Sequence, residues 1–375
     1  MWTIDGWYQE ARATTAKNPE ITRGMADLLL RHVEEHLPGV AREEVVRRLQ
    51  KSNQQRLDAV PSLTKYPELR GMRDLVAAQW RGWKDGAGLS DAQLAAYCDS
   101  YFYYHRYLAT GKAGPLGCSY VYFPTSERGP ILANNLDSSP AEPFGPPAWP
   151  AISEHLLLGC VSSGVFLDEE SPESFPAPVF KLVGRYCRTT DEAVEMVTRY
   201  NYFWGPCNAI LVDRQHNVAM IEKSACRIGV RRSPDGFAFI TAMTAQEAGM
   251  KTFLQDRRTA SILARRLPKE NEDATYWKAQ DRRGQLMNEL LDEARKNPTV
   301  ETLRRFIQFR DPQRGNVCGN GEVLFPGGHP SEYTLRTSLW LLREGKAMWW
   351  GREGDKPSFE NRKPDVTYDG VWLWD

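Results

Sequence analysis

Ile21, Met25, Leu28, Leu29, Val33 and Leu37 recur at intervals of three and four residues, which draws one apolar stripe along the segment and predicts an amphipathic helix. "REEVVRRLQKSNQQRL" continues in the same style up to a break at Pro61. "TKYPELRGMRDLVAAQWRGWKDGAGLSDAQLAAYCDSYFYY" predicts two further helices, hinged at a Gly86 to Gly88 turn. The first hundred residues therefore read as mostly helical. From Cys118 onward the pattern changes to short β-prone runs separated by turn signals, and three pairs read as hairpins. "NAILVD" and "VAMIEK" are joined by Arg214 to Asn217, "CRIGVRR" and "FAFITAM" by Ser233 to Gly236, and "TSLWLL" and "AMWWG" by Arg343 to Lys346. Strands linked so closely predict antiparallel sheets rather than a parallel, doubly wound one.

Helices interrupt the strands without strict alternation. "TTDEAVEMVTRYN" places Glu192 three residues after Thr189, a capping-box start. "KTFLQDRRTASILARRL" and "WKAQDRRGQLMNELLDEARKN" add two longer helical blocks. This arrangement predicts layered sheets covered by helices. The Pro-rich "SSPAEPFGPPAWP" and "DEESPESFPAPV" are long loops for a compact domain, and loops of that length often line sites.

Composition narrows the function classes. Lys plus Arg and Asp plus Glu both number 48, so no net field favours nucleic acid or an anionic membrane, and a neutral small molecule is the default partner. No run approaches the ~20 apolar residues of a membrane span. "MWTIDGWYQE" lacks a secretion signal, so a cytoplasmic location is expected, with periplasm or secretion still open. The seven cysteines, Cys98, Cys118, Cys160, Cys187, Cys207, Cys226 and Cys318, show no CxxC spacing, which argues against a zinc ribbon or redox pair. "KDGAG" lacks the phosphate-loop pattern, and no carboxylate and histidine cluster has metal spacing. Neither a metal nor a cofactor is expected.

One cysteine stands apart. Cys118 opens a β-prone run directly after Gly117, and the following run closes on Asn135 and Asp137. Gly117 leaves the preceding peptide sterically open, so the thiol could attack its own preceding carbonyl and pass through a thioester that water resolves. A new chain would then begin at Cys118. Its α-amine, with an ordinary pKa of about 7.7–8.0 against about 10.4 for lysine, would serve as a general base near neutral pH. His32, His36, His105, His155, His216 and His329 carry no recognisable Cys-His signature, although a pair assembled in space stays open.

These residues resemble the acyl-coenzyme A:6-aminopenicillanic-acid acyltransferase family, cysteine members of the N-terminal-nucleophile (Ntn) hydrolases, from roughly residue 60 to the end. "YPELRGM" resembles the helix motif before the cleavage point, and "GCSYVYF" with "ANNLD" the nucleophile strand and its Asn-x-Asp partner. "VGRYCRTTDEAVEMV" resembles a family helix start, "CNAILVDRQHNVAMIEKS" the Asn-bearing hairpin, and "GNVCGNG" with "TLRTSLWLLREGKAMWWGREGDKP" the closing hairpin. The resemblance implies that Cys118 is the autoprocessing nucleophile, that Asp137 orients the new amine, and that the Asn208 amide helps form the oxyanion hole. It also implies an arginine beyond that Asn, for which Arg258 is chosen over Arg257 and Arg265. Two departures stand out. Asn134 sits where bile-salt-hydrolase relatives have arginine, and "ITAMTAQEAG" lacks a common Thr-Asn-His segment.

Plain alternatives stand beside these roles: Asp137 as a turn cap, Asn208 as a strand end, Arg258 as a solvated helix charge and His216 as a turn residue. The expected fold is α+β, a four-layer αββα Ntn-hydrolase sandwich with antiparallel sheets and an N-terminal helical region. Residues 1–117 are expected to stay attached as a noncovalent subunit, and residues 118–375 to form the catalytic segment. The expected activity is cleavage of a small-molecule amide, or of a thioester such as an acyl-coenzyme A, through an acyl-cysteine. Asn134, Asn135, Tyr202, Phe203 and Trp204 are the expected substrate contacts. Hydrolysis and acyl transfer share every step up to the acyl-enzyme. A different class stays open, an unprocessed and catalytically silent binding protein on the same fold. Oligomeric state is not readable from the sequence.

Overall fold

The computed structural model describes residues 3–58, 71–98, 118–138, 140, 142–162, 179–200, 207–224, 227–242, 244–258, 277–322, 333–360 and 363–367. Helices α1 (Ile4–Ala16), α2 (Pro19–His36), α3 (Arg42–Asp58), α4 (Met72–Ala87) and α5 (Asp91–Cys98) form the N-terminal region. The predicted hinge at Gly86 is instead helical. Gly86 lies inside α4, where an added Cβ would stand 2.2 Å from the Arg12 carbonyl oxygen of α1, so the missing side chain lets the two helices touch. Gly88, at φ 65°, ends the helix in the left-handed conformation that glycine adopts without strain. Pro61 lies outside the described residues.

The strands are β1 (Ser119–Phe123), β2 (Ile131–Ser138), β3 (Leu156–Ser162), β4 (Cys207–Asp213), β5 (Val218–Lys223), β6 (Ile228–Ser233), β7 (Ala238–Thr241), β8 (Arg310–Asp311), β9 (Gly315–Asn316), β10 (Tyr333–Leu341), β11 (Lys346–Gly351) and β12 (Asp365–Thr367). Between them lie α6 (Val179–Tyr186), α7 (Thr190–Arg199), α8 (Ala248–Arg258), α9 (Trp277–Arg295) and α10 (Val300–Ile307). One sheet runs β12-β11-β10-β2-β1-β7 and a second β3-β4-β5-β6, every pairing antiparallel. The predicted capping box forms, with the Thr189 hydroxyl accepting from the Glu192 amide and the Glu192 carboxylate accepting in return at the start of α7.

Two of the three predicted hairpins are observed, β4 with β5 and β10 with β11. The third is not. β6 pairs with β5 and β7 with β1, so the Ser233 to Gly236 turn carries the chain from one sheet to the other. Turn chemistry specifies the reversal, whereas the partner follows from what each strand buries. Ala238 and Ile240 pack between the sheets, and Phe239 points the opposite way, toward α9 and α10.

Three cores define four layers. Tyr122, Leu132, Ile240 and Trp340 of the six-stranded sheet meet Leu157, Val161, Ile210, Val212 and Met220 of the four-stranded sheet. The outer face of the four-stranded sheet, with Ala209, Leu211 and Ile221, packs on Trp7, Val76, Phe180 and Val197 from α1, α4, α6 and α7. The outer face of the six-stranded sheet, with Val121, Ala133 and Leu339, packs on Leu286, Leu290, Leu303 and Phe306 from α9 and α10. The architecture is an α+β sandwich, helix on sheet on sheet on helix. The N-terminal helices share a core with the second sheet, so they are an integral layer of the domain.

Candidate active site

Period-two alternation in β1 and β2 sorts the polar residues near Cys118 onto opposite faces. Ser119 pairs with Asn135, and Val121 and Ala133 from the same face point to the α9 and α10 layer. Asn135 and Asp137 share that outer face, whereas Cys118 and Tyr120 pack with the core between the sheets. Cys118 immediately precedes β1 and is half-buried. Its thiol donates to the backbone carbonyl of Asp137 at 3.7 Å, while its own carbonyl accepts from the Ala242 amide at 3.0 Å. Burial first, and the Asp137 charge next, push the thiol pKa up to about 12. A thiol raised that far stays protonated near neutral pH.

Asp137 is almost fully buried and well held. One carboxylate oxygen accepts from Arg283 Nη2 at 2.6 Å and the other from the Thr334 hydroxyl at 2.7 Å. Arg283, 5% exposed, also donates to the Val317 carbonyl at 2.8 Å. The sequence reading missed Arg283, although a signal was present. Arg283 stands in register with Leu286, Met287, Leu290, Leu291 and Ala294, on the buried stripe of α9. A guanidinium on an apolar stripe calls for a buried anion, and Asp137 is that anion. Arg258 is the last residue of α8, and its side chain lies outside the described residues.

A β-bulge separates this pair from the inner face. Thr334 pairs with Asp137, but Arg336 pairs with Leu136, so β10 advances two residues while β2 advances one. The shift turns Arg336 toward the inter-sheet side, where it acts electrostatically on Tyr120 and Cys118. Its Nε donates to the Ser338 hydroxyl at 3.0 Å and its Nη1 to the Gly145 carbonyl. No carboxylate pairs with it among the described residues. Tyr120 stacks on Trp340 with ring centroids 6.1 Å apart. Gly159 of β3 makes room for that phenol, since an added Cβ would lie 2.6 Å from the ring. In the described part of the first Pro-rich loop, Glu142 accepts from the Ser138 hydroxyl, and Trp149 packs against the inter-sheet core that holds Cys118 and Tyr120.

Three predicted amides behave differently from their expected roles. Asn208 is buried, and its Nδ2 donates to the Thr241 carbonyl at 2.7 Å and the Thr244 carbonyl at 3.0 Å. Both amide hydrogens are thereby used in tying β4 to the end of β7, and none is left to meet an oxyanion. Asn135, fully buried, donates to the Ile307 and Val317 carbonyls at 2.7 and 3.1 Å and accepts from the Thr337 hydroxyl at 2.8 Å. It anchors the sheet to the α10 layer, on the face away from Cys118. Asn134 is buried, with both amide hydrogens on the Ser119 and Asn135 carbonyls at 3.0 and 2.9 Å. Strand polarity was legible, but the Asn135 and Asn208 amides find carbonyls far off in the sequence. Gly117, Tyr202, Phe203, Trp204 and the second Pro-rich loop up to residue 178 lie outside the described residues.

His216, at φ 60°, is the turn residue expected between β4 and β5, and its Nδ1 shares a 2.7 Å hydrogen bond with the Tyr122 hydroxyl. The six described cysteines are free thiols. Among the described residues no cluster of three His, Cys, Asp or Glu side chains could hold a metal ion, and no helix is long and apolar enough to cross a membrane.

No protein-family model matches the sequence, and no curated protein sequence matches it. Among solved structures, a single-residue variant of conjugated bile acid hydrolase from Clostridium perfringens is similar to this chain, at 12% identity and a TM-score of 0.34. That match covers 68% of this chain and 87% of the hydrolase. At that degree of overlap, roles for residues of this chain follow from its own geometry alone.

Proposed function

We propose that this chain is an autoprocessing N-terminal-nucleophile amidohydrolase or acyltransferase. Cleavage between Gly117 and Cys118 exposes Cys118 as nucleophile and its α-amine as base. The observation that carries the reading is the thiol at the head of β1, bonded to the backbone of the same Asp137 whose carboxylate is locked by Arg283 and Thr334. A carboxylate so fixed one strand from the new amine suits the task of orienting it. Cys118 Sγ attacks a substrate amide or thioester carbonyl, the leaving group takes the proton held by the α-amine, and water or an amine releases the acyl group from sulfur. The oxyanion donors are then backbone amides, because the Asn208 amide is engaged elsewhere.

The inner face suggests the kind of substrate. Tyr120, Trp340 and Trp149 provide an apolar wall, which suits an acyl chain. Arg336, without a carboxylate partner among the described residues, suits an anionic group next to the scissile bond. Intact-mass analysis tests the reading. Splitting 42.7 kDa in the proportion 117 to 258 residues gives fragments of roughly 13 and 29 kDa, the larger starting at Cys118, while Cys118→Ala stays one chain without turnover. Wild-type protein that is whole and inactive would point to a binding protein, and whole but active protein to another kind of cysteine enzyme.

A further inference from the structure

We propose that Glu142, acting through the hydroxyl of Ser138, accepts the Cys118 thiol proton in the self-cleaving step, before any α-amine exists. The inference rests on the self-cleavage proposed above and asks what starts it. A thiol whose pKa is pushed up to about 12 does not ionise unaided near neutral pH. The charged or titratable groups that act on it are Glu142 from the loop after β2, Arg336 from β10, Tyr120 from β1 and Cys160 from β3 and, through the sheet, Asp137 from β2 and Arg283 from α9.

Most of these are poor acceptors. Arg283 and Arg336 are cations. Burial raises Tyr120, a hydrogen bond to Cys207 raises Cys160, and both stay protonated. Asp137 has one carboxylate oxygen on a guanidinium and the other on the Thr334 hydroxyl, and its side chain lies on the far face of the sheet. Glu142 differs on each count. Among the described residues no cation pairs with it, and its carboxylate accepts from the Ser138 hydroxyl. Burial without a counter-charge pushes its carboxyl up to about 7, so near neutral pH it both accepts and returns a proton.

Strand alternation places the groups on one face. Ser119 pairs with Asn135, so Ser138 shares the inter-sheet face of Cys118, and it directly follows Asp137, whose carbonyl receives the thiol hydrogen bond. In the step itself the sulfur proton passes to Ser138 Oγ as the serine hydroxyl proton passes to Glu142. The freed electron pair on sulfur attacks the Gly117 carbonyl carbon. The carbon–nitrogen bond to Cys118 breaks, the proton returns along the same path to that nitrogen, and a thioester and an α-amine result. Water then hydrolyses the thioester.

The test follows cleavage of the full-length chain, refolded from urea between pH about 5.5 and 8.5, by intact mass. Wild-type cleavage should rise about tenfold per pH unit below a midpoint near 7 and level off above it. Glu142→Gln keeps the shape of the neutral carboxyl, and it should cleave at least ~10²-fold more slowly with that inflection gone. Added formate should restore cleavage to Glu142→Ala, a response that a packing role would not give. Glu142→Gln cleaving within about twofold of wild type, with the same pH profile, overturns the inference. Should Glu142→Gln fail to refold, Ser138→Ala decides, and unchanged cleavage there overturns the relay. A wild-type chain that never cleaves at any pH instead overturns the self-cleavage reading.

Discussion

Arg283→Met in a Cys118→Ala background removes one charge of a buried pair from a chain that cannot cleave, so stability is measured on a single polypeptide. Arg283 and Asp137 are 5% and 1% exposed and their side chains meet at 2.6 Å. Removing the guanidinium takes away the counter-charge that the described residues give this carboxylate, and an uncompensated buried charge costs about 3–5 kcal/mol. With an unfolding entropy of about 2.1 cal/mol/K per residue over 375 residues, that loss lowers Tm by about 4–6 °C. Adding Asp137→Asn removes the stranded charge and keeps an acceptor for the Thr334 hydroxyl. The double variant should regain most of the loss, giving a coupling energy of roughly 2–3 kcal/mol in a double-mutant cycle read by urea unfolding. A loss below about 1 kcal/mol for Arg283→Met, or strictly additive losses, would refute the claim that Arg283 exists to neutralise Asp137.

Three other outcomes are expected. Asn208→Ala, which strands the Thr241 and Thr244 carbonyls, should lower unfolding free energy by about 1–3 kcal/mol in the uncleavable background, and an unchanged urea midpoint would contradict the tie seen here. Arg336→Gln should raise KM about 10- to 100-fold for an amide carrying a carboxylate beside the scissile bond and leave its decarboxylated analogue near wild type; equal effects on both would remove the anionic contact. Gly86→Ala puts a methyl group 2.2 Å from the Arg12 carbonyl oxygen and should cost about 1–3 kcal/mol by thermal melt, a neutral result meaning that α1 shifts freely on α4.

Much of the fold was legible because the governing signals are local. Apolar spacing marked α2 and α9, Thr189 and Glu192 marked the start of α7, and short connections marked two hairpins. The failed hairpin shows where locality ends. Ser233 to Gly236 reverses the chain equally well within one sheet or between two, and only the burial of Ala238, Phe239 and Ile240 on both faces of β7 assigns it to the other sheet. The site divides in the same way. Cys118 was visible from its neighbours in sequence, whereas Arg283 meets Asp137 across 146 residues and Thr334 meets it across 197. Asn135 and Asn208 were visible as polar residues in apolar strands, but the carbonyls that satisfy them belong to distant segments.

The division of faces around β2 bears on how the proposed enzyme would stay silent until folded. Asp137 and Arg283 lie on the helical side of the sheet, sealed from solvent, and Cys118, Tyr120 and Arg336 lie on the inter-sheet side. The bulge in β10 is what allows Thr334 and Arg336, two residues apart, to serve opposite faces. The fixed charge therefore meets the thiol chiefly through the Asp137 backbone, where the carbonyl accepts the S–H while the carboxylate raises the thiol pKa. With its pKa pushed up to about 12, the thiol stays protonated near neutral pH. Attack then depends on a base delivered to that one face. Ser138, which bonds Glu142, is held in β2 opposite Tyr333, so the proposed relay takes shape as β10 pairs with β2. Self-cleavage would thus report completed folding, and the N-terminal helices, sharing the core of the second sheet, would remain in place after the bond is cut.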